Sequence, residues 1–463
     1  MSSLKPLPMY KRSRRSWKRK PRRRPWYFYL IPIVGIPIGL EILTRLLFGF
    51  TGLDQAFSQE QSDQAKRVEA YQLGFLSPDR QPYKNLPNQG QLQAVRNPLM
   101  GYQLLPQQQS NYWAINPQGF RDDEPITPTK NPNEVRIFVL GGSMAFGQLS
   151  SNNQATLANQ LETLLNDQVK QQQQNPNQYQ PAVLPYTADE VAKVLQRPAR
   201  IPERQYRVVN AAVPGYASGN DLAMLFQQVV AFNPDIVILL NSYEDLLLPS
   251  SHSGADIPGL DALIAGERPV VEDPIGQAVR GWFDQLYLVQ GVRHYILQNA
   301  QTEEVKAIPL NLTVTDQPLA QSLAGDDAEL KARIDRYKNH LLQMVRWSSA
   351  TRKRLIVGIQ PELSSRSPEQ MPASEKAILE QLGENYSQKI AASYTQLVSA
   401  AQQATQSSAN AKVLDLRQLY ANSKDPAFQT PTSLTDEAYK TLADQFYKTI
   451  IQQLAIEPKP YGS

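Results

Sequence analysis

The sequence predicts an α/β fold: a three-layer αβα sandwich on a parallel sheet, preceded by one transmembrane helix. Three observations predict it. Short apolar runs such as Ile137–Leu140, Asp235–Leu240 and Leu355–Ile359 have the length and character of strands buried on both faces. Stretches of helical spacing alternate with these runs, which implies a parallel sheet covered on both sides. Ahead of them lies a long apolar stretch, Trp26–Phe50, directly behind a basic tail.

In chain order, residues 1–24 carry eleven Lys or Arg and no acidic residue, within a 463-residue chain of net charge +4. The remainder holds 36 basic and 43 acidic side chains, a net −7. A basic tail alone would suit nucleic acid, but no nucleic-acid partner is expected here because an apolar span follows at once. About 20 apolar residues cross a bilayer, and Trp26, Tyr27, Phe28 and Tyr29 suit its interface. Residues 25–50 therefore read as a single-pass anchor whose partner is membrane lipid. The cytoplasmic bias of Lys and Arg places the N-terminus inside and the C-terminal domain on the extracytoplasmic side. Pro32 and Pro37 are tolerated in membrane helices. Glu41 and Arg45, four residues apart, share a helix face and can pair. Ala56-Phe57-Ser58 is a poor match to a signal-peptidase site, so the anchor is favoured over a cleaved leader.

The chain has no Cys and three His (His252, His294, His340), which excludes disulfides and thiolate chemistry and disfavours a His-rich metal centre. Neither a metal nor an organic cofactor is implied. Residues 51–130 are polar and rich in Gln, Asn and Pro, and read as a stalk or lead-in with helical character around Gln55–Tyr71 that becomes ordered where it packs on the main domain. The main domain is expected over 131–458, with a Gln-rich insert at about 168–185 as a solvated loop. Its elements are a strand at Ile137–Leu140, a helix at Thr156–Leu165 and a short helix at Thr187–Leu195. A strand at Tyr206–Asn210, a helix at Gly219–Phe232 and a strand at Asp235–Leu240 follow. Ala328–Trp347 is helical, with Leu330, Ile334, Tyr337, Leu341 and Met344 on one side. Then come a strand at Leu355–Ile359, a long helix at Glu375–Gln406, a strand at Val413–Leu416 and a closing helix at Asp436–Leu454.

Four blocks carry chemistry. In the first, Gly141-Gly142-Ser143 follows a buried strand, placing a serine at the rim of a sheet where open α/β folds bind ligands. In the second, Val208–Ser218 reads as a strand ending in Pro214-Gly215, a turn that can present a backbone amide. The third, Asn241-Ser242-Tyr243-Glu244-Asp245, follows the apolar strand Asp235–Leu240. The fourth, Thr430 through Ser433-Leu434-Thr435-Asp436-Glu437-Ala438-Tyr439, opens the last helix. Each also has a plainer reading: a tight turn after a strand, or caps for the helix that follows.

Together these blocks resemble those of the SGNH (GDSL-type) hydrolases over about Asn131–Leu454. The stretch Ala114–Arg121 resembles the lead-in of the membrane-anchored bacterial branch. The resemblance implies hydrolysis or transfer of an ester acyl group on a lipid or polysaccharide. It puts Ser143 at the nucleophile position and the Gly215 amide at the oxyanion. Glu244 stands where the family has its oxyanion asparagine, Thr430 where it has the orienting aspartate, and Ser433 where it has the histidine. An ionised carboxylate cannot donate to an oxyanion. At ~4 Å and an effective dielectric near 20 it repels one by about 4 kcal/mol. That matches the whole benefit of one oxyanion donor, about 3–4 kcal/mol. The expectation is a degenerate esterase-like protein, inactive or very slow. Its implied ligand is an acylated glycan or lipid. Two alternatives stay open: an active esterase with a rebuilt dyad of Ser143 and His252, or a structural module that binds envelope proteins. A protonated Glu244 or Asn241 as a substitute donor, and Asp221, Glu244 or Asp245 as bases, are further candidates.

Overall fold

A computed structural model describes residues 63, 65–76, 80–82, 90–97, 100–251 and 319–462. The expected anchor at residues 25–50, His252 and His294 lie outside the described residues. Among the described residues, no helix is long and apolar enough to cross a membrane. Arg67–Ser463 form one compact unit.

That unit opens with the lead-in, which forms a small sheet of its own. Strand β1 (Leu73–Leu76) runs parallel to β2 (Leu92–Asn97), and β2 antiparallel to β3 (Gly101–Leu104). Two-residue strands β4 (Gln108–Gln109) and β5 (Ala114–Ile115) pair next. Its order has a simple cause: Tyr71, Tyr102, Trp113 and Phe120 are buried in the same core as the main sheet. Scattered aromatics in a polar stretch still bury large apolar areas.

The main sheet holds β6 (Glu134–Gly141), β7 (Gln205–Asn210), β8 (Ile236–Leu240), β9 (Arg354–Ile359) and β10 (Ala411–Asp415), all parallel. Their spatial order is β10-β9-β8-β6-β7. Strand β8 is buried at every residue, as its unbroken apolar run requires. Helices α1 (Ser143–Phe146), α2 (Leu157–Gln174), α3 (Ala188–Leu195) and α4 (Ser218–Gln227) connect the first three strands, and α5 (Tyr243–Leu247) follows β8. After α6 (Leu319–Ser322), α7 (Asp327–Thr351) precedes β9. Helices α8 (Ala373–Leu382) and α9 (Glu384–Thr405) precede β10. A hairpin of β11 (Phe428–Thr430) and β12 (Ser433–Leu434) leads into α10 (Asp436–Leu454). Helices α2 and α10 pack together against one face, and α4, α7 and α9 form the other layer.

Two expectations are corrected. The Gln-rich insert is not all loop: α2 runs on to Gln174, and Gln168 and Gln172 are buried. Gln172 is satisfied there, donating to the Ile201 carbonyl at 3.0 Å and accepting its N–H at 2.9 Å. The long helix at 375–406 is broken at Gly383, whose φ of 81° lies where only glycine is comfortable. At the last helix, Thr435 is the cap, accepting the Ala438 N–H at 3.3 Å.

Candidate functional site

Counted along the chain, the main sheet has the order 2-1-3-4-5, which reverses direction between β6 and β8. Open α/β sheets bind ligands in the crevice at the carboxyl ends of the strands on either side of such a reversal. Ser143 follows β6 and Glu244 follows β8, so the two residues face each other across this point. They touch. The Ser143 N–H donates to Glu244 Oε1 at 3.1 Å.

The contact explains two departures from the resembled pattern at once. A Cβ built on Gly142 would overlap the Glu244 carboxylate, so a side chain at 142 would require that carboxylate to move. Both Ser143 (0% exposed) and Glu244 (1%) are buried. Among the described residues, neither Ser143 Oγ nor Glu244 Oε2 has a hydrogen-bond partner. Burial pushes the Glu244 carboxyl up to about 7, with the charge of Asp245 adding to it and backbone N–H groups, Ser143's included, opposing it. The plainer reading, Ser143 as a helix cap, does not hold: Ser143 is the first residue of α1 and Gly142 precedes it as the cap.

Block two lies beside block one. The Val213 N–H donates to the Gly141 carbonyl at 3.0 Å, and Gly215 turns the chain with φ 81°. Tyr102 of β3 pins this loop, its hydroxyl donating to the Pro214 carbonyl at 2.6 Å. The lead-in therefore holds the glycine turn in place. Asn241 is not available as a substitute donor, because its amide donates to Asp221 at 2.6 Å and to the Tyr216 carbonyl at 2.8 Å. Asp221 is buried and its carboxyl is held well above the usual range by that burial, then by the charges of Asp245 and Glu244.

The last block reaches the same edge of the sheet. Tyr439 donates to the Met144 carbonyl at 3.0 Å, and Gln429 to the Leu149 carbonyl at 3.3 Å. Thr430 and Ser433 hydrogen-bond each other, hydroxyl to hydroxyl, at 2.6 Å. The hairpin carrying them is anchored by a buried pair: Arg366 lies 3.0 Å from Glu375, and Glu375 accepts the N–H groups of Ala427 (2.6 Å) and Phe428 (2.8 Å).

Three features of the site were not read from the sequence. Arg121 is buried and donates to the Phe146 (2.9 Å) and Gly147 (2.7 Å) carbonyls at the end of α1. It also reaches Tyr71, Ser150 and Asn153, fixing the turn that bears Ser143. The signal was the stretch Asn116–Arg121: Asn116 Oδ1 accepts the N–H groups of Gln118 and Phe120, a turn that aims Arg121 inward. The second is a buried chain in which Ser218 Oγ lies 2.5 Å from Asp245 and 2.9 Å from His340 Nδ1. His340 looked unplaced because its partners come from distant segments. The third is the Arg366–Glu375 pair.

No family model matches the sequence, and no curated protein does. Among solved structures, an acetyl xylan esterase is 11% identical, covering 68% of this chain and 100% of its own, with a TM-score of 0.33. A lipase/acylhydrolase from Enterococcus faecalis is 14% identical, covering 70% of this chain and 98% of its own, with a TM-score of 0.32. An acetylxylan esterase from Geobacillus stearothermophilus is 13% identical, covering 70% of this chain and 96% of its own, also at 0.32. None of these similarities assigns a role to a residue of this chain.

Proposed function

We propose that this chain is a membrane-anchored, export-facing protein whose SGNH-hydrolase-like domain binds envelope partners and does not turn esters over. One observation carries the reading. Thr430 and Ser433, at the positions of an aspartate and a histidine, hydrogen-bond each other hydroxyl to hydroxyl, and neither is a base near neutral pH. Without a base the Ser143 hydroxyl stays protonated, and losing one member of such a unit costs orders of magnitude in rate. Burial of Ser143, Glu244 and Ser433 supports the same reading.

A fluorophosphonate probe tests it on the full-length protein in detergent or nanodiscs. Labelling should be indistinguishable from that of the Ser143→Ala variant. Rapid labelling at Ser143, abolished by His252→Ala, would overturn the reading in favour of a rebuilt dyad.

A further inference from the structure

We propose that Glu244 is an internal plug under proton control: its carboxylate holds the Ser143 amide and the space against Gly142, and protonation loosens that hold. The proposal deepens the reading above by naming what governs the Ser143 amide. Its test reads an amide resonance and not turnover, so it can fail while the absence of hydrolysis stands.

Geometry carries it. Glu244 Oε1 takes the Ser143 N–H, Oε2 has no partner among the described residues, and the carboxylate fills the space a side chain at residue 142 would need. A carboxylate accepts a hydrogen bond from an amide far more strongly than the neutral acid does. Charge state therefore sets the strength of the contact.

The surroundings offer Glu244 no paired cation among the described residues. From α4 comes Asp221, bonded to Asn241. On α5 itself, Asp245 accepts the Ser218 N–H and hydroxyl, and Tyr243 takes a hydrogen bond from Tyr386 of α9. From α7, His340 meets Ser218, and Arg336 donates to the carbonyls of Asp245, Leu248 and Pro249. Tyr337 of α7, Tyr394 of α9 and Tyr102 of β3 add buried hydroxyls, and Glu362 beyond β9 a further carboxyl. In so acidic and buried a cluster, Glu244 takes up its proton at about 7.

The test uses a labelling accident of the sequence. Gly-Ser occurs only at Gly142-Ser143 and Gly462-Ser463. Full-length protein carrying carbonyl-13C glycine and 15N serine therefore gives two carbonyl-correlated amide signals, one of them at the C-terminus. The Ser143 amide proton should move with pH with a midpoint near 7, and Glu244→Gln should abolish that movement. A Ser143 signal that stays flat from about pH 5 to about pH 9, or one that titrates equally in Glu244→Gln, overturns the proposal. If the variant does not fold, a flat wild-type titration is decisive against the plug.

Discussion

Glu375 and Glu244 are both buried within this site's architecture, and they are solved differently. Glu375 has an arginine at 3.0 Å and two backbone N–H groups, and it fastens the hairpin that carries Thr430 and Ser433. Glu244 has backbone N–H groups, no paired cation among the described residues, one oxygen without a partner, and acidic neighbours. Burying a carboxylate is costly unless a cation is paired with it, and an oxygen without a hydrogen bond among the described residues is common to both. By that measure Glu375 is a fastening and Glu244 is a cost. The fold keeps that cost at the point where a ligand would otherwise sit.

The sharpest way to separate fastening from plug is to rebuild the chemistry. The triple change Glu244→Asn, Thr430→Asp and Ser433→His removes the plug and supplies an oxyanion donor and a base. Hydrolysis of a short acyl ester should rise by orders of magnitude and vanish with Ser143→Ala, whereas any one change should do little because such residues act as a unit. The next effect belongs to Glu375. Glu375→Ala leaves the buried Arg366 uncompensated and should cost about 3–5 kcal/mol in urea denaturation.

Glu244 should show the opposite sign. Its folded carboxyl titrates at about 7 against a usual 4.5, so the folded state binds the proton more tightly than the unfolded chain. The stability tied to that proton is fully present below about pH 4.5 and is lost as pH rises through about 7. The ionised group costs on the order of 3 kcal/mol at alkaline pH. Glu244→Gln should therefore stabilise the protein at about pH 8 by about 2 kcal/mol, part of the gain being offset by the new amide's unmet donors, and the gap should close at about pH 5. Equal stability of the two proteins at all pH values would remove the distinction between the glutamates. The smallest effect is at the neighbour: Gly142→Ala should cost about 1–3 kcal/mol by overpacking against Glu244, and Glu244→Ala should relieve it.

The strands were legible because each is a short apolar run, and four of the five main strands begin and end within about two residues of where the pattern puts them. The lead-in sheet was not, since two- to six-residue strands interspersed with Gln and Pro have no period to read. Its order comes from aromatic residues that pack on the distant core. Ser143, Gly215, Glu244, Thr430 and Ser433 were picked out by position along the chain. What position could not give was contact: that Glu244 and Gly142 are one steric solution, that Asn241 is committed to Asp221, or that His340 meets Ser218. Those contacts join segments up to 122 residues apart.

Ester hydrolysis by the full-length wild-type protein, set beside Ser143→Ala, tests the central claim most directly. With no base at residue 433, turnover of a short acyl ester near neutral pH should equal the Ser143→Ala background. Wild-type turnover well above that background would contradict the account and make Ser143 a working nucleophile.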